Sequence, residues 1–228
     1  MNFVSNLMHR LSTMFIDALF PLSRAETELF LLSPEEAFHV LPTSPAVPIP
    51  NACSIFAYKD PRVSKLIWNI KYKKEPRALK IGGCALFQSL NELAAELRTT
   101  LILIPIPISK KRRRKRGYNQ CELLLNAVKK YDEQNLFQIR TDILVKVRNV
   151  SRQTLKNRQE RLESAHDIFA VTEVNAGTNS HTNPASTNTS PTYVIIDDVI
   201  TTGSTILEAI KVMRESGYEK VIGLSLAH

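Results

Sequence analysis

One stretch narrows the fold of this chain more than any other: Val194-Ile195-Ile196-Asp197-Asp198-Val199-Ile200-Thr201-Thr202-Gly203-Ser204-Thr205. It reads as a buried strand ending in two adjacent carboxylates, a loop of small hydroxyl residues around one glycine, and then the start of a helix. Open α/β sheets bind ligands at the carboxyl ends of their strands. Free backbone N–H groups, hydroxyls and the helix dipole converge in such a turn, so it can cradle a phosphate. The carboxylates can accept hydrogen bonds from sugar hydroxyls beside that phosphate. Pair and cradle together suit a ribose 5-phosphate. A plain strand-to-helix connection, capped by Ser204 or Thr205, would have no need of Asp197 and Asp198 together.

The rest of the chain supplies matching elements. Cys53–Tyr58 reads as a strand. Asp60-Pro61 offers an N-cap and first-turn proline to a helix with Val63, Leu66, Ile67 and Ile70 at helical spacing. Residues 77–98 form a second helical stretch, with Leu86, Leu90, Leu93 and Leu97 on one stripe and a weak spot at Gly82-Gly83. Thr100–Ile106 is an apolar run of strand length, and Gly117-Tyr118-Asn119 punctuates the start of a helix through Lys130. Asp142–Arg148, Ile168–Val171, Tyr193–Ile196 and Val221–Ala227 are further strands. A helix over Ser204–Ser216 turns Ile206, Leu207, Ile210 and Met213 inward and stops at Gly217. Strands alternating with helices predict an α/β domain with a mainly parallel central sheet and flanking helices.

Two segments fall outside that pattern. Residues 33–50 hold five prolines and read as a linker. Thr172–Pro191, almost wholly Thr, Asn, Ser, Gly, Ala and Pro, lacks the apolar surface to offset ordering and reads as a disordered insertion. Met1–Ser23 carries Phe3, Leu7, Leu11, Phe15, Leu19 and Phe20 near helical spacing; His9, Arg10 and Asp17 interrupt it, which favours a docked amphipathic helix over a signal peptide. The predicted organisation is therefore an N-terminal helical extension with a Pro-rich linker over 1–54, and the α/β domain over 55–228.

Charge adds a second constraint. The chain is +8, from 30 Lys and Arg against 22 Asp and Glu, and residues 104–169 hold 16 of those bases and 7 of those acids. The segment includes seven consecutive bases, Lys110-Lys111-Arg112-Arg113-Arg114-Lys115-Arg116. So focused a charge asks for an anion, either nucleic acid or a phosphorylated small molecule. Cys53, Cys84 and Cys121 form neither a disulfide framework nor a C-x-x-C pair, so no zinc is expected and a reduced, cytoplasmic setting is favoured. Leu101–Ile108, the longest apolar stretch, is far shorter than the roughly 20 residues that span a bilayer.

The order of residues in Asp197–Thr205 resembles the signature by which type I phosphoribosyltransferases bind 5-phosphoribosyl diphosphate (PRPP). Three further blocks resemble the ComF family of that fold. They are Phe56-Ala57-Tyr58 with Leu66-Ile67-Trp68 and Lys71-Tyr72; Ile104-Pro105-Ile106-Pro107-Ile108-Ser109 with Arg116-Gly117-Tyr118-Asn119-Gln120; and Gln153 with Glu160-Arg161-Leu162-Glu163 and Phe169. The chain departs from the family's pattern at Lys156 and Ser164, in the insertion, and in lacking the cysteine pairs of an N-terminal zinc module. The resemblance implies a bacterial, Mg²⁺-dependent phosphoribosyltransferase-like protein associated with competence and DNA uptake. It places Asp197 and Asp198 on the ribose hydroxyls and Mg²⁺, Thr201, Thr202, Gly203, Ser204 and Thr205 on the 5-phosphate, and Arg116 on the leaving pyrophosphate. Ser109, Arg152, Arg158 and Arg161 are further pyrophosphate candidates. The acceptor stays open.

Two other functions remain beside transfer: a single-stranded-DNA-handling factor drawing on the basic run, and a ligand sensor that keeps the pocket without turnover. Against DNA, aromatics make up 7% of the chain and are not interleaved with the basic run. Trp68 is expected in the core, Tyr118 either in the core or stacked on a base, and His166 and His181 in solvent.

Overall fold

A computed structural model describes residues 22–147, 168–172 and 190–228. The expected N-terminal helix, most of the insertion, His166 and His181 lie outside those residues.

The described residues open with two short helices, α1 (Arg24–Leu31) and α2 (Pro34–Val40). Strand β1 (Ala52–Phe56) and helix α3 (Pro61–Trp68) follow, and α3 widens into a π-helical turn over Asn69–Lys73. Next come α4 (Pro76–Leu97), β2 (Leu101–Pro105), α5 (Lys110–Arg116) and α6 (Gln120–Val128). The small strands β3 (Gln138–Ile139), β4 (Leu144–Lys146) and β5 (Phe169–Val171) lead to β6 (Thr192–Val199), α7 (Ser204–Glu215) and β7 (Val221–Ala227).

Five strands pair in the order β1-β7-β6-β2-β3, every neighbour parallel, while β4 and β5 form a separate antiparallel pair. This is the α/β architecture expected from the alternation of elements. Strand residues face alternate sides of a sheet, and the two cores follow that rule. Val194 and Ile196 pack with α1, α2, α3, α4 and α6, whereas Ile195 packs with α7 and with Leu144 and Phe169 of the small sheet. Burial on both faces explains why β6 is continuously apolar over Tyr193–Ile196 and β7 over Val221–Leu224.

Local chemistry corrects several expectations. The proline-rich segment is not irregular throughout, because Pro34 occupies the first turn of α2, where its missing N–H costs nothing. Ser33 and Glu36 close a reciprocal capping box there, and the remaining prolines come after the helix. Leu29, Ala37 and Leu41 are buried in the same core as the sheet. Gly82-Gly83 is a site of close approach rather than a weak spot, since a Cβ on Gly83 would come within 2.5 Å of the Ala127 Cβ on α6. Trp68 is 42% exposed, because Ile67 takes the inward position and its neighbour lies about 100° further round the helix. Leu207 is exposed for the same reason of phase, and Ala209 fills the inner face of α7 in its place, whereas Leu97 keeps the phase of the buried Leu86 and Leu90 and is exposed as the last residue of α4. Tyr118 is buried, its hydroxyl donating to the Lys71 carbonyl at 2.8 Å.

Candidate functional site

β6 runs three residues beyond the Tyr193–Ile196 apolar run, to Val199. Asp197 aligns with Ser225 and Val199 with Ala227 of β7, so both carboxylates lie within the sheet's carboxyl end. Asp197 is 8% exposed and Asp198 3%. Successive strand side chains diverge, and these two do: Asp197 Oδ1 meets the Cys121 thiol at 3.7 Å, while Asp198 Oδ2 meets the Lys71 ammonium at 3.1 Å. Each carboxylate also accepts one backbone N–H, from Asp198 onto Asp197 at 2.8 Å and from Val199 onto Asp198 at 2.9 Å. Asp198 Oδ2 has no hydrogen bond of its own. The Lys71 contact satisfies it by charge and not by a directed donor.

The electrostatic result is large. Burial, and then the neighbouring charge of Asp198, push the Asp197 carboxyl up to about 7, against the pull of the Asp198 N–H and Lys71. Burial and the same two aspartates hold the Cys121 thiol well above its ordinary range, so it faces Asp197 as a neutral S–H. Across the site, Lys146 on β4 is lowered by burial and by Arg112 and raised by Asp197. A pair of buried carboxylates short of donors attracts a cation.

After β6 the loop turns through Gly203, whose φ of +78° is open to glycine and costly for other residues. A Cβ there would also fall 1.7 Å from the Ile49 side chain, so the proline-rich segment presses directly on this loop. Gly203 is the N-cap of α7 and provides no side-chain cap, which leaves the first-turn N–H groups without that partner. Thr201, Thr202 and Ser204 are exposed beside them, with the Thr202 and Ser204 hydroxyls 3.2 Å apart. A turn with free N–H groups and hydroxyls at a helix start can cradle a phosphate.

The basic run forms α5, capped at its start by Ser109, whose hydroxyl accepts the Arg112 N–H at 3.2 Å. At its far end Arg116 donates to Gln120 Oε1 at 3.3 Å and lies over the Tyr72 ring, 5.1 Å from its centroid. Arg113 is paired with Glu122. Ser109 and Arg116 thus bracket the helix that follows β2, and Arg116 reaches the Lys71-Tyr72 turn. Arg152, Arg158 and Arg161 lie outside the described residues.

Folding also brings aromatics to cations outside the basic run, as well as to Arg116 at its end. Trp68 and Tyr72, 42% and 58% exposed, are 5.9 Å apart, with Lys73 4.8 Å and Lys65 5.5 Å from the Trp68 centroid. Sequence reasoning nominated neither Lys71 nor this strip as part of a site. The signal lay in the Lys71-Tyr72 block, but its geometry depends on a π-helical turn that no apolar periodicity announces.

Two carboxylate oxygen donors fit Mg²⁺, which commonly takes one or two carboxylates and completes its shell with water and substrate phosphate. The orphaned Asp198 Oδ2 is a buried acceptor suited to that role. Among the described residues, no group of three or more His, Cys, Asp or Glu side chains could hold a metal without such help. No described helix is long and apolar enough to cross a membrane.

No family model matches the sequence. Part of the chain is similar to competence protein F of Haemophilus influenzae, 29% identical over 129 residues that make up 55% of this chain and 49% of that protein. A similar match, 28% identical over 116 residues, joins it to competence protein ComFC of Bacillus subtilis, covering 51% of this chain and 39% of that one. The chain therefore spans about half or less of the curated relatives it matches.

Proposed function

We propose that this protein, a member of the ComF family with a phosphoribosyltransferase-like fold, binds PRPP with Mg²⁺ at the β6–α7 turn and transfers its phosphoribosyl group, in a role linked to competence. The observation that carries this reading is the buried, under-partnered Asp197–Asp198 pair beside a phosphate loop with no side-chain cap. The N–H groups and hydroxyls of Thr201–Thr205 hold the 5-phosphate, and Asp197 and Asp198 accept hydrogen bonds from the ribose hydroxyls. The same two carboxylates would hold Mg²⁺, directly or through water. Bound there, the metal supplies neutralising charge for the leaving diphosphate. Arg116 extends positive charge toward that end. In transfer the bond from C1 to the diphosphate oxygen breaks, its electron pair leaves with the diphosphate, and a lone pair on the acceptor forms the new bond.

Calorimetric titration of PRPP with Mg²⁺ tests the site. The wild type should bind saturably, and the double variant Asp197→Asn/Asp198→Asn should lose roughly tenfold or more, as for charge-assisted hydrogen bonds. No binding by wild type sinks transferase and sensor alike. Binding without release of pyrophosphate, over a panel of acceptor bases, would leave the sensor.

The strip of Trp68, Tyr72, Lys65, Lys73 and Arg116 favours a second reading, a surface for single-stranded DNA. Bases stack on exposed rings while cations follow the backbone. Affinity should then fall steeply with salt, and neutralising Lys110–Lys115 should flatten the slope. A flat dependence in the wild type counts against it.

A further inference from the structure

We infer that Lys71 receives the diphosphate end of the ligand, releasing Asp198 to the ribose and its cation as it does so; this rests on reading the site as one for PRPP. The backbone that carries Lys71 is firmly placed. The π-helical turn over Asn69–Lys73 is closed by the Lys74 N–H donating to the Asn69 carbonyl, which also accepts the Glu75 N–H at 3.4 Å, and it ends at Lys74 with φ of +53°. The buried Tyr118 hydroxyl fixes the Lys71 carbonyl itself at 2.8 Å. π-helical turns of this kind occur frequently at functional sites.

The side chain is a different matter. Its four-carbon stem is free to swing about that fixed backbone. The side chain is 24% exposed, and its ammonium lies 3.1 Å from Asp198 Oδ2, an atom otherwise without a hydrogen bond. Without a ligand Lys71 compensates a buried carboxylate. An arriving ribose would bring hydroxyl donors to that carboxylate, and a divalent cation held there would supply the charge that Lys71 now provides. The diphosphate carried on the same sugar then offers the displaced ammonium several anionic oxygens. Arg116, over the neighbouring Tyr72 ring, borders the same turn.

Ribose 5-phosphate separates this role from simple structural support, because it has the ribose hydroxyls and 5-phosphate but no diphosphate. Lys71→Met and Lys71→Arg would each be checked for native circular dichroism and titrated with both ligands in Mg²⁺. Lys71→Met should weaken PRPP roughly tenfold or more and leave ribose 5-phosphate within about twofold, while Lys71→Arg keeps most of the PRPP affinity. Equal loss of both ligands, or loss of neither, overturns the role of Lys71 and leaves the PRPP reading standing. A wild type that binds neither ligand overturns both.

Discussion

Glu26 and the Asp197–Asp198 pair are buried to nearly the same degree, at 4% exposed against 8% and 3%, and their surroundings treat them in opposite ways. Glu26 occupies the first turn of α1, where Ser23 donates to it from both its backbone N–H and its hydroxyl, at 3.1 and 2.7 Å. Asn69 adds a third donor at 2.9 Å, and the Lys65 and Lys73 ammonium groups stand at 3.5 and 3.7 Å. Burial alone would raise its carboxyl, but the hydrogen bonds from Asn69 and Ser23 and the charge of Lys65 bring it down to about 2. Asp197 has one backbone N–H and a thiol, and burial beside a second carboxylate takes it up to about 7. A buried charge with its donors in place ties α1 to α3. The aspartate pair has one backbone N–H for each carboxylate, a thiol beside one and a single ammonium beside the other.

The largest effect expected from this contrast is at Glu26. Glu26→Ala breaks the capping box and leaves Asn69 with one acceptor, the Lys65 carbonyl, among those described. The loss should be about 2–3 kcal/mol, or roughly 5–10 °C in Tm, measured by thermal circular dichroism at pH 7. The folded carboxyl titrates below its ordinary 4.5, so its stabilisation is complete above that pH and disappears as pH falls to about 2. The deficit of the variant should shrink over the same window. A deficit independent of pH would mean that packing, not charge, holds this corner together.

Asp197→Asn should act with the opposite sign. The folded carboxyl is raised from 3.8 to about 7, so between those values the native state binds the extra proton. Stability from this group is greatest below about 3.8 and declines as pH climbs through about 7. The variant should match wild type near pH 4 and melt a few degrees higher near pH 8, where wild type carries two buried negative charges. Added Mg²⁺ should narrow the gap by stabilising wild type alone. A variant less stable than wild type at pH 8 would place Asp197 with Glu26, as part of the scaffold.

How far each region could be read from the chain follows the same division. The strand, acid pair and glycine loop of Val194–Thr205 are contiguous, so residue order alone displays them. Asp60-Pro61 and Ser33-Pro34 carry equally local helix-start signals, yet the prolines after Val40 hide the second within a linker-like composition. Trp68 and Leu207 lie outside the core that helical spacing predicts for them, because a step of one residue turns a side chain about 100° around a helix. The contacts that decide the chemistry are distant in sequence: Lys71 to Asp198, Cys121 to Asp197, Ile49 to Gly203. Glu26 shows the limit from the other side. Its capping box with Ser23 is a local pattern, whereas its donor Asn69 lies 43 residues away on a π-helical turn.

The smallest change should also be the most discriminating, because it gives Asp197 one of the donors that Glu26 already has. Cys121 faces Asp197 Oδ1 with a weakly donating thiol at 3.7 Å, where Glu26 has the Ser23 hydroxyl at 2.7 Å. Cys121→Ser replaces that thiol with a hydroxyl, and a hydroxyl bonded to the charged carboxylate favours its charged form. The titration midpoint of Asp197, followed by carboxyl-carbon NMR, should move down from about 7. Cys121→Ala, which removes the donor, should leave it there or raise it. Thermal stability near pH 8 should change by no more than about 1 kcal/mol, since the new hydrogen bond offsets the cost of burying a hydroxyl. A midpoint unmoved by Cys121→Ser would mean that the Asp198 charge outweighs any single neutral donor at Asp197. The contrast with Glu26 would then lie in the pairing of two like charges rather than in the count of hydrogen bonds.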